Sequence, residues 1–317
     1  MNKILIFRTD RIGDFLISTP IFSSIKRKFI NCKIDIVCSN LNYDYVKSFN
    51  FFNKVFLYPD NFIKKLSLYV SLKDYDHILV LDGKKRSIYT SIFKRSKNKT
   101  LFTPSSSIKN MFKYFFNNVY LINYNIPKID LIKNFLSNND CEYRSIDINF
   151  LSTYENSKFL KYKKLDSEYI VLNLDEKWIY NNYIKTYRNI EPSYTQFENF
   201  LSILSKNKKV IVVNGFFENP LLEELKISNS INNNANLIIK DKINIFELQF
   251  LIKHSNCLIS CHGAPSHIAS SYNVKVIDIV DNSEIKFFSS YNHHFNNKVQ
   301  IIREDFDNLS RKIITSI

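Results

Sequence analysis

Two short segments of the 317-residue chain hold the residue types that chemistry needs. In the first, the apolar run Lys3 to Phe7 meets Arg8-Thr9-Asp10-Arg11-Ile12-Gly13-Asp14 and then an apolar-periodic stretch reaching Lys26. That order reads as a strand, a polar turn and a helix, and in a doubly wound sheet the first such turn lies at the ligand crevice. Its backbone amides and helix N-terminus are placed to meet an anion or a reacting hydroxyl. Gly13 permits a tight turn and the close approach of a ligand. Asp14 either caps the helix or projects as a general base for a hydroxyl proton. Arg8 and Arg11 flank it as candidate acceptor- or phosphate-binding residues, a surface ion pair being the alternative for Arg11. Thr19-Pro20 reads as a cap followed by a first-turn proline or as a kink within a longer helix.

The second segment is Cys261-His262-Gly263-Ala264-Pro265-Ser266-His267, between a strand-like run and a helix carrying Ala269, Ser270 and Ser271. A glycine turn into a helix N-terminus binds phosphate through amides and the helix dipole. Gly263, His262 and His267 are candidate donor contacts, against the alternative of structurally satisfied histidines. Glu218 follows Val213-Asn214-Gly215, where a carboxylate accepts from ribose hydroxyls or stands solvated near a helix start. No DxD motif sits on a strand end, and neither HExxH nor paired Cys/His spacing occurs, so a metal-independent reaction is expected.

The elements that must position these residues alternate short apolar runs with longer amphipathic stretches, the pattern of an α/β fold with parallel sheets. In the first half, strands are expected at Lys3–Phe7, Lys33–Val37, Lys54–Leu57, His77–Leu81 and Val119–Ile122. The second half begins afresh at Tyr169–Leu174 and continues with Lys209–Asn214, Leu237–Ile239, Cys257–Ser260 and Lys275–Ile279. Helices are expected over Tyr194–Leu204 and Ile245–Lys253. The length suits two domains, assigned to residues 1–155 and 165–317, with Ser152–Ser167 as linker and the Asn-rich Ser228–Asn236 as a surface loop.

Composition narrows the partners. Hydrophobic residues make up 45% and charged residues 23%, which is globular composition, and no apolar run approaches a membrane span. The N-terminus meets charge after four apolar residues, so a cytoplasmic protein is expected rather than a signal peptide or anchor. Five scattered cysteines read as buried free thiols. The net charge of +14 calls for an anionic partner, although the wealth of Lys, Asn, Ile, Phe and Tyr also fits a compositionally biased genome. The lysines are spread along the chain and no nucleic-acid motif occurs, so no nucleic acid is expected and contact with an anionic membrane surface is.

Arg8, Gly13, Asp14, Thr19 and Pro20 stand at the spacing of the bacterial lipopolysaccharide heptosyltransferases, glycosyltransferase family 9, and Gly263, His267, Ile268 and Ala269 match the outline of that family's second turn. The chain resembles this family over nearly its full length in order of elements. The resemblance implies a GT-B fold, two Rossmann-like doubly wound parallel-sheet domains facing a cleft, the first on the acceptor side and the second binding the donor. It further implies an inverting transfer with Asp14 as base, no cofactor beyond a nucleotide-sugar substrate, and a lipopolysaccharide, lipooligosaccharide or capsule-type glycan as acceptor. The family's phosphate-binding lysine, with an aromatic two residues on, maps to Lys185 and Tyr187, with Lys177-Trp178 competing. The last helix is expected to pack back on the N-terminal domain. Cys261 and His262 depart from the family's Asp-Thr pair, which leaves the donor open between ADP-heptose and a CMP-activated acidic sugar such as Kdo. A non-catalytic sugar-nucleotide or nucleic-acid binding module on the same scaffold is the alternative of another class.

Overall fold

The computed structural model describes residues 2–154, 157–159, 161–165, 168–227 and 233–317. Parts of the expected linker and of the Asn-rich loop, residues 155–156, 160, 166–167 and 228–232, lie outside the described residues. The chain divides into two compact units, Met1–Ser157 and Lys158–Ile317.

The first unit holds β1 (Lys3–Phe7), α1 (Ile12–Ile17), α2 (Thr19–Lys28), β2 (Lys33–Cys38), α3 (Tyr43–Lys47), β3 (Lys54–Leu57), α4 (Phe62–Ser71), β4 (Tyr75–Val80), α5 (Lys85–Ile92), β5 (Ser96–Thr103), α6 (Ser106–Phe112), β6 (Asn118–Leu121), α7 (Lys128–Ser137) and α8 (Phe150–Thr153). Its six parallel strands run in the order β3-β2-β1-β4-β5-β6. That order reverses direction between β1 and β4, and a doubly wound sheet opens its crevice at the carboxyl ends of those two strands. Ile4, Leu5, Ile6 and Phe7 are all fully buried, as a central strand covered on both faces requires. One face packs Leu5, Phe7, Ile78 and Val80 against Leu68 of α4, Ile88 of α5 and Phe112 of α6.

The second unit holds β7 (Tyr169–Asn173), α9 (Tyr194–Ser205), β8 (Lys209–Val213), α10 (Pro220–Ile227), β9 (Leu237–Lys240), α11 (Ile245–Lys253), β10 (Cys257–Cys261), α12 (Ala264–Ser271), β11 (Lys275–Val280), α13 (Ile285–Asn292), β12 (Lys298–Ile302) and α14 (Phe306–Thr315). Its parallel order, β12-β11-β10-β7-β8-β9, is the same topology with the reversal between β7 and β10. The last helix, α14, places Phe306, Leu309 and Ile313 in this unit's core, with Phe306 against Phe200 of α9. All five cysteines are free and buried.

Two strands were not anticipated. β5 opens on the polar run Ser-Lys-Asn-Lys, whose exposed first half hides the buried Leu101 and Phe102 that follow. β12 is an edge strand with one fully buried position, too little apolar alternation to show in sequence. At Thr19-Pro20 the helix breaks at Ser18, whose hydroxyl donates to Asp14 O, while Thr19 donates to Leu16 O. The kink reading therefore holds, and Thr19 is not the cap.

Gly83, in the turn after β4, adopts φ +61, and a Cβ there would stand 2.8 Å from Phe102 O. Gly83→Ala is expected to lower the stability of the first unit by about 2 kcal/mol. Urea unfolding, followed by a tryptophan replacing the exposed Tyr114, reads this loss; an unchanged midpoint would show that the turn relaxes.

Candidate active site

In the first unit, the carboxyl end of β1 continues into Arg8, which is 2% exposed. Arg8 Nε donates to Asp14 O at 2.8 Å, Nη2 donates to the same carbonyl, and Nη1 donates to Leu81 O at 2.7 Å. The guanidinium thus ties α1 to the end of β4. Arg8 is a buried positioning residue, which corrects the expectation of an open phosphate ligand. Gly13 is buried within the first turn of α1 and its φ is not positive, so it makes no left-handed turn. Arg11 is exposed at the N-cap of α1.

Asp14 occupies the first turn of α1, where the helix dipole favours a carboxylate. Its side chain is 26% exposed, and Oδ1 stands 3.7 Å from Arg8 Nη2. This is an accessible carboxylate whose backbone is clamped by three hydrogen bonds, two from Arg8 and one from Ser18.

Asp10 and Lys128 join it, and sequence reading singled out neither. Asp10 Oδ2 lies 3.2 Å from Arg8 Nη1, while Oδ1 is buried with no hydrogen-bond partner among the described residues. Burial pushes the Asp10 carboxyl up to about 7 against the pull of Arg8, with Asp14 and Asp82 adding to the rise and Lys84 opposing it. Lys128, at the start of α7, is 6% exposed. Burial pushes its ammonium down to about 7, Arg8 adds to the fall, and Asp14 and Asp10 oppose it. Asp82, just past β4, accepts from Thr9 Oγ1 at 2.6 Å and Ser87 Oγ at 2.7 Å, and Arg86 Nη2 donates to Thr9 O at 2.9 Å. The turn is therefore held from the end of β4 and from α5, with Lys128 of α7 acting on it electrostatically.

In the second unit, β7 ends at Asn173, whose carbonyl accepts from Trp178 Nε1 at 2.8 Å. Trp178 is fully buried and pins a short 3-10 turn, Glu176–Trp178. Lys177 on that turn pairs through Nζ with Asp175 Oδ2 at 2.6 Å. Burial alone would lower Lys177, and Asp175 more than reverses it, so the ammonium stays charged. A Cβ on Gly263 would meet Lys177 Nζ at 3.0 Å, which sets this ammonium against the glycine turn. Lys185 is exposed in the loop before α9, so the structure brings Lys177, not Lys185, to Gly263. Glu218 is exposed ahead of α10, beyond the end of β8.

Arg303, 4% exposed after β12, binds this loop down. Its Nη2 donates to Lys177 O at 2.8 Å, its Nε donates to Arg188 O at 3.0 Å, and Nη1 lies 3.7 Å from Cys261 Sγ. Burial, reinforced by Asp175, pushes the Cys261 thiol up to about 12, so it is a neutral packing group here. His262 Nδ1 meets Asp278 Oδ2 at 2.8 Å, and Ser266 and Asn292 donate to the same carboxylate at 2.7 Å each. Burial would raise Asp278, but His262 and these donors hold it below the usual carboxylate range. His267, buried in α12, stands with its ring 5.4 Å from His262 and 6.2 Å from His294. The structure thus sets His262 on a buried carboxylate, with the His267 ring beside it and Gly263 at the start of the same helix as His267. Among the described residues no group of three or more His, Cys, Asp or Glu is arranged to hold a metal ion.

No family model matches the sequence, and no curated protein is similar to it in sequence. Solved structures are similar in fold. Heptosyltransferase WaaC of E. coli, solved with ADP-2-deoxy-2-fluoro heptose, is 12% identical with a TM-score of 0.74, covering 99% of this chain and 100% of that one. E. coli ADP-heptose lps heptosyltransferase II is 12% identical with a TM-score of 0.69, over 100% of this chain and 97% of that one. The UDP-GlcNAc 2-epimerase of Methanocaldococcus jannaschii is 12% identical with a TM-score of 0.58, over 100% of this chain and 91% of that one. Two units of identical Rossmann-type topology, with these neighbours along the whole chain, give this protein the two-domain α/β fold of the GT-B glycosyltransferases.

Proposed function

We propose that the chain is an inverting, metal-independent glycosyltransferase that moves a sugar from a nucleotide donor to a lipopolysaccharide-, lipooligosaccharide- or capsule-type glycan. The observation that carries this reading is Asp14: an accessible carboxylate in a clamped helix turn, at the switch point of a doubly wound sheet. Asp14 takes the proton of the acceptor hydroxyl as its oxygen bonds to the anomeric carbon. The bond from that carbon to the donor phosphate breaks, and the nucleotide leaves with the electron pair. Lys177 and the amides at the start of α12 stabilise the charge on the departing phosphate. Of the two donors, ADP-heptose is the first, given the fold neighbours. A CMP-activated acidic sugar such as Kdo is the second, favoured by the neutral Cys261 and the cationic Lys177 at the turn, which suit a sugar carboxylate. Turnover assays with each donor separate them; neither binding nor turnover with ADP-heptose would remove the heptosyl reading.

Lys177→Met is expected to weaken binding of the nucleotide donor by roughly 10- to 100-fold, the scale of one charged hydrogen bond. Lys185→Met is expected to leave it unchanged, as titration calorimetry with both variants would show. The reverse result would return the phosphate role to Lys185.

A further inference from the structure

The helical layer α4–α6 presents an outer face that the fold does not use. On α4, Phe62, Ile63, Leu66 and Val70 are between 51% and 79% exposed. At 100° per residue they fall within an arc of about 100° on one side of the helix, while Leu68 and Leu72 point into the core. α5 adjoins α4 through Tyr69, whose hydroxyl donates to Phe93 O at 2.6 Å, and α6 through the Tyr89–Phe112 ring contact at 5.7 Å. Phe93, Met111, Tyr114 and Phe115 extend the exposed apolar surface over α5 and α6.

The charge of the chain is concentrated on the same segment. Residues 61–117 contain twelve Lys and Arg against three Asp, a net +9 of the total +14, although Lys84 and Arg86 of these bond to Thr9 at the far end of β4 and do not belong to this face. Beside Phe93, at the amino ends of β4 and β5, a cavity of about 610 Å³ is lined by Lys94, Arg95, Lys97 and Lys99, with Asp74 and Asp76 also on its wall.

We infer that this face is a docking surface for an anionic lipid bilayer, its aromatic and aliphatic side chains entering the headgroup boundary and its basic rim and cavity meeting the lipid phosphates. An apolar patch rimmed with lysine is the composition of interfacial membrane helices. A second copy of the chain would bring two strongly positive faces together, which like charge opposes. Nucleic acid would engage the cations but leave the exposed apolar centre unsatisfied. No helix among the described residues is long and apolar enough to cross a membrane, so contact of this kind lies on the surface.

Flotation of the full chain with phosphatidylcholine vesicles, with and without one third phosphatidylglycerol, tests the inference. Each lysine near an anionic leaflet contributes on the order of fivefold in partitioning. Wild type is expected to float with the anionic vesicles alone, less so as salt rises. Phe62→Ser/Val70→Ser, and separately Lys64→Glu/Lys109→Glu/Lys113→Glu, are expected to reduce the bound fraction at least about tenfold. Lys163→Glu/Lys206→Glu/Lys208→Glu, the same charge change in the second unit, is expected to leave it unchanged. Equal loss in that control, unaltered binding by the serine variant, or no flotation of wild type overturns the inference. So does a dimer abolished by the serine variant, which would assign the face to a second copy. Flotation uses neither donor nor acceptor, so its failure leaves the transfer reading standing, and a failed transfer assay leaves this one.

Discussion

Asp14→Asn lowers turnover by roughly 100- to 10,000-fold, the usual contribution of a positioned general base, while the affinity for the nucleotide donor stays within about twofold. The substitution keeps the shape of the side chain and its place in the first turn of α1, so Arg8 and Ser18 still clamp the backbone carbonyl. What it removes is proton affinity at the more exposed of this turn's two carboxylates, 26% against 18% for Asp10. Steady-state kinetics with the turned-over donor, beside nucleotide titration of the same variant, separate the two effects. Retention of rate within about threefold would show that the acceptor proton leaves by another route. A parallel loss of donor affinity would show that Asp14 binds instead.

The second large effect lies in pH. Asp10→Asn and Lys128→Met are expected to stabilise the first unit in opposite pH ranges. The folded state holds the Asp10 carboxyl at about 7 in place of 3.8, so ionising it opposes folding. That cost is absent below pH 3.8, grows across the interval and is complete above about 7; Asp10→Asn therefore gains most near pH 8. Lys128 is held at about 7 in place of 10.5. Its cost is complete below about 7 and absent above 10.5, so Lys128→Met gains most near pH 6 and little at pH 10.

A shift of about three units corresponds to roughly 4 kcal/mol. The Asp10 side chain keeps 18% exposure and each substitution also removes attraction to a partner, so about 1–3 kcal/mol is expected. Urea unfolding read through Tyr114→Trp at several pH values gives both curves. Asp10 opposes the fall of the Lys128 ammonium, and that attraction is lost only once in the double variant, which should therefore gain more than the sum of the two. The same pH trend in both single variants would show that burial of these two groups does not set the balance.

Some of the site was legible along the chain because its signals are local. A strand, a polar turn and a helix in the first 26 residues place Asp14 at a switch point without any long-range contact, and the Gly263 turn is read the same way. Between the two lysines after β7 the sequence favoured Lys185, from which the helix Tyr194–Leu204 follows at a sensible distance, with Lys177 competing. The buried Trp178 pins the nearer turn to Asn173, and it is Lys177 that stands beside Gly263. Arg8 looked like an anion ligand because an arginine in a polar turn usually is exposed; here Leu81, 73 residues on, supplies an acceptor that buries it.

The sequence by itself determined the alternation of strand and helix, the division into two α/β units and the location of both turns, because hydrophobic periodicity and turn chemistry act over a few residues. Tertiary structure alone decided which charges share those turns. Asp10 and Lys128 are 118 positions apart, as Lys177 and Arg303 are 126 apart, and only the strand order brings each pair together and removes it from water. Burial is what makes Asp10 and Lys128 titrate near neutrality and Arg303 an anchor, and it belongs to the assembled unit rather than to any segment of the chain.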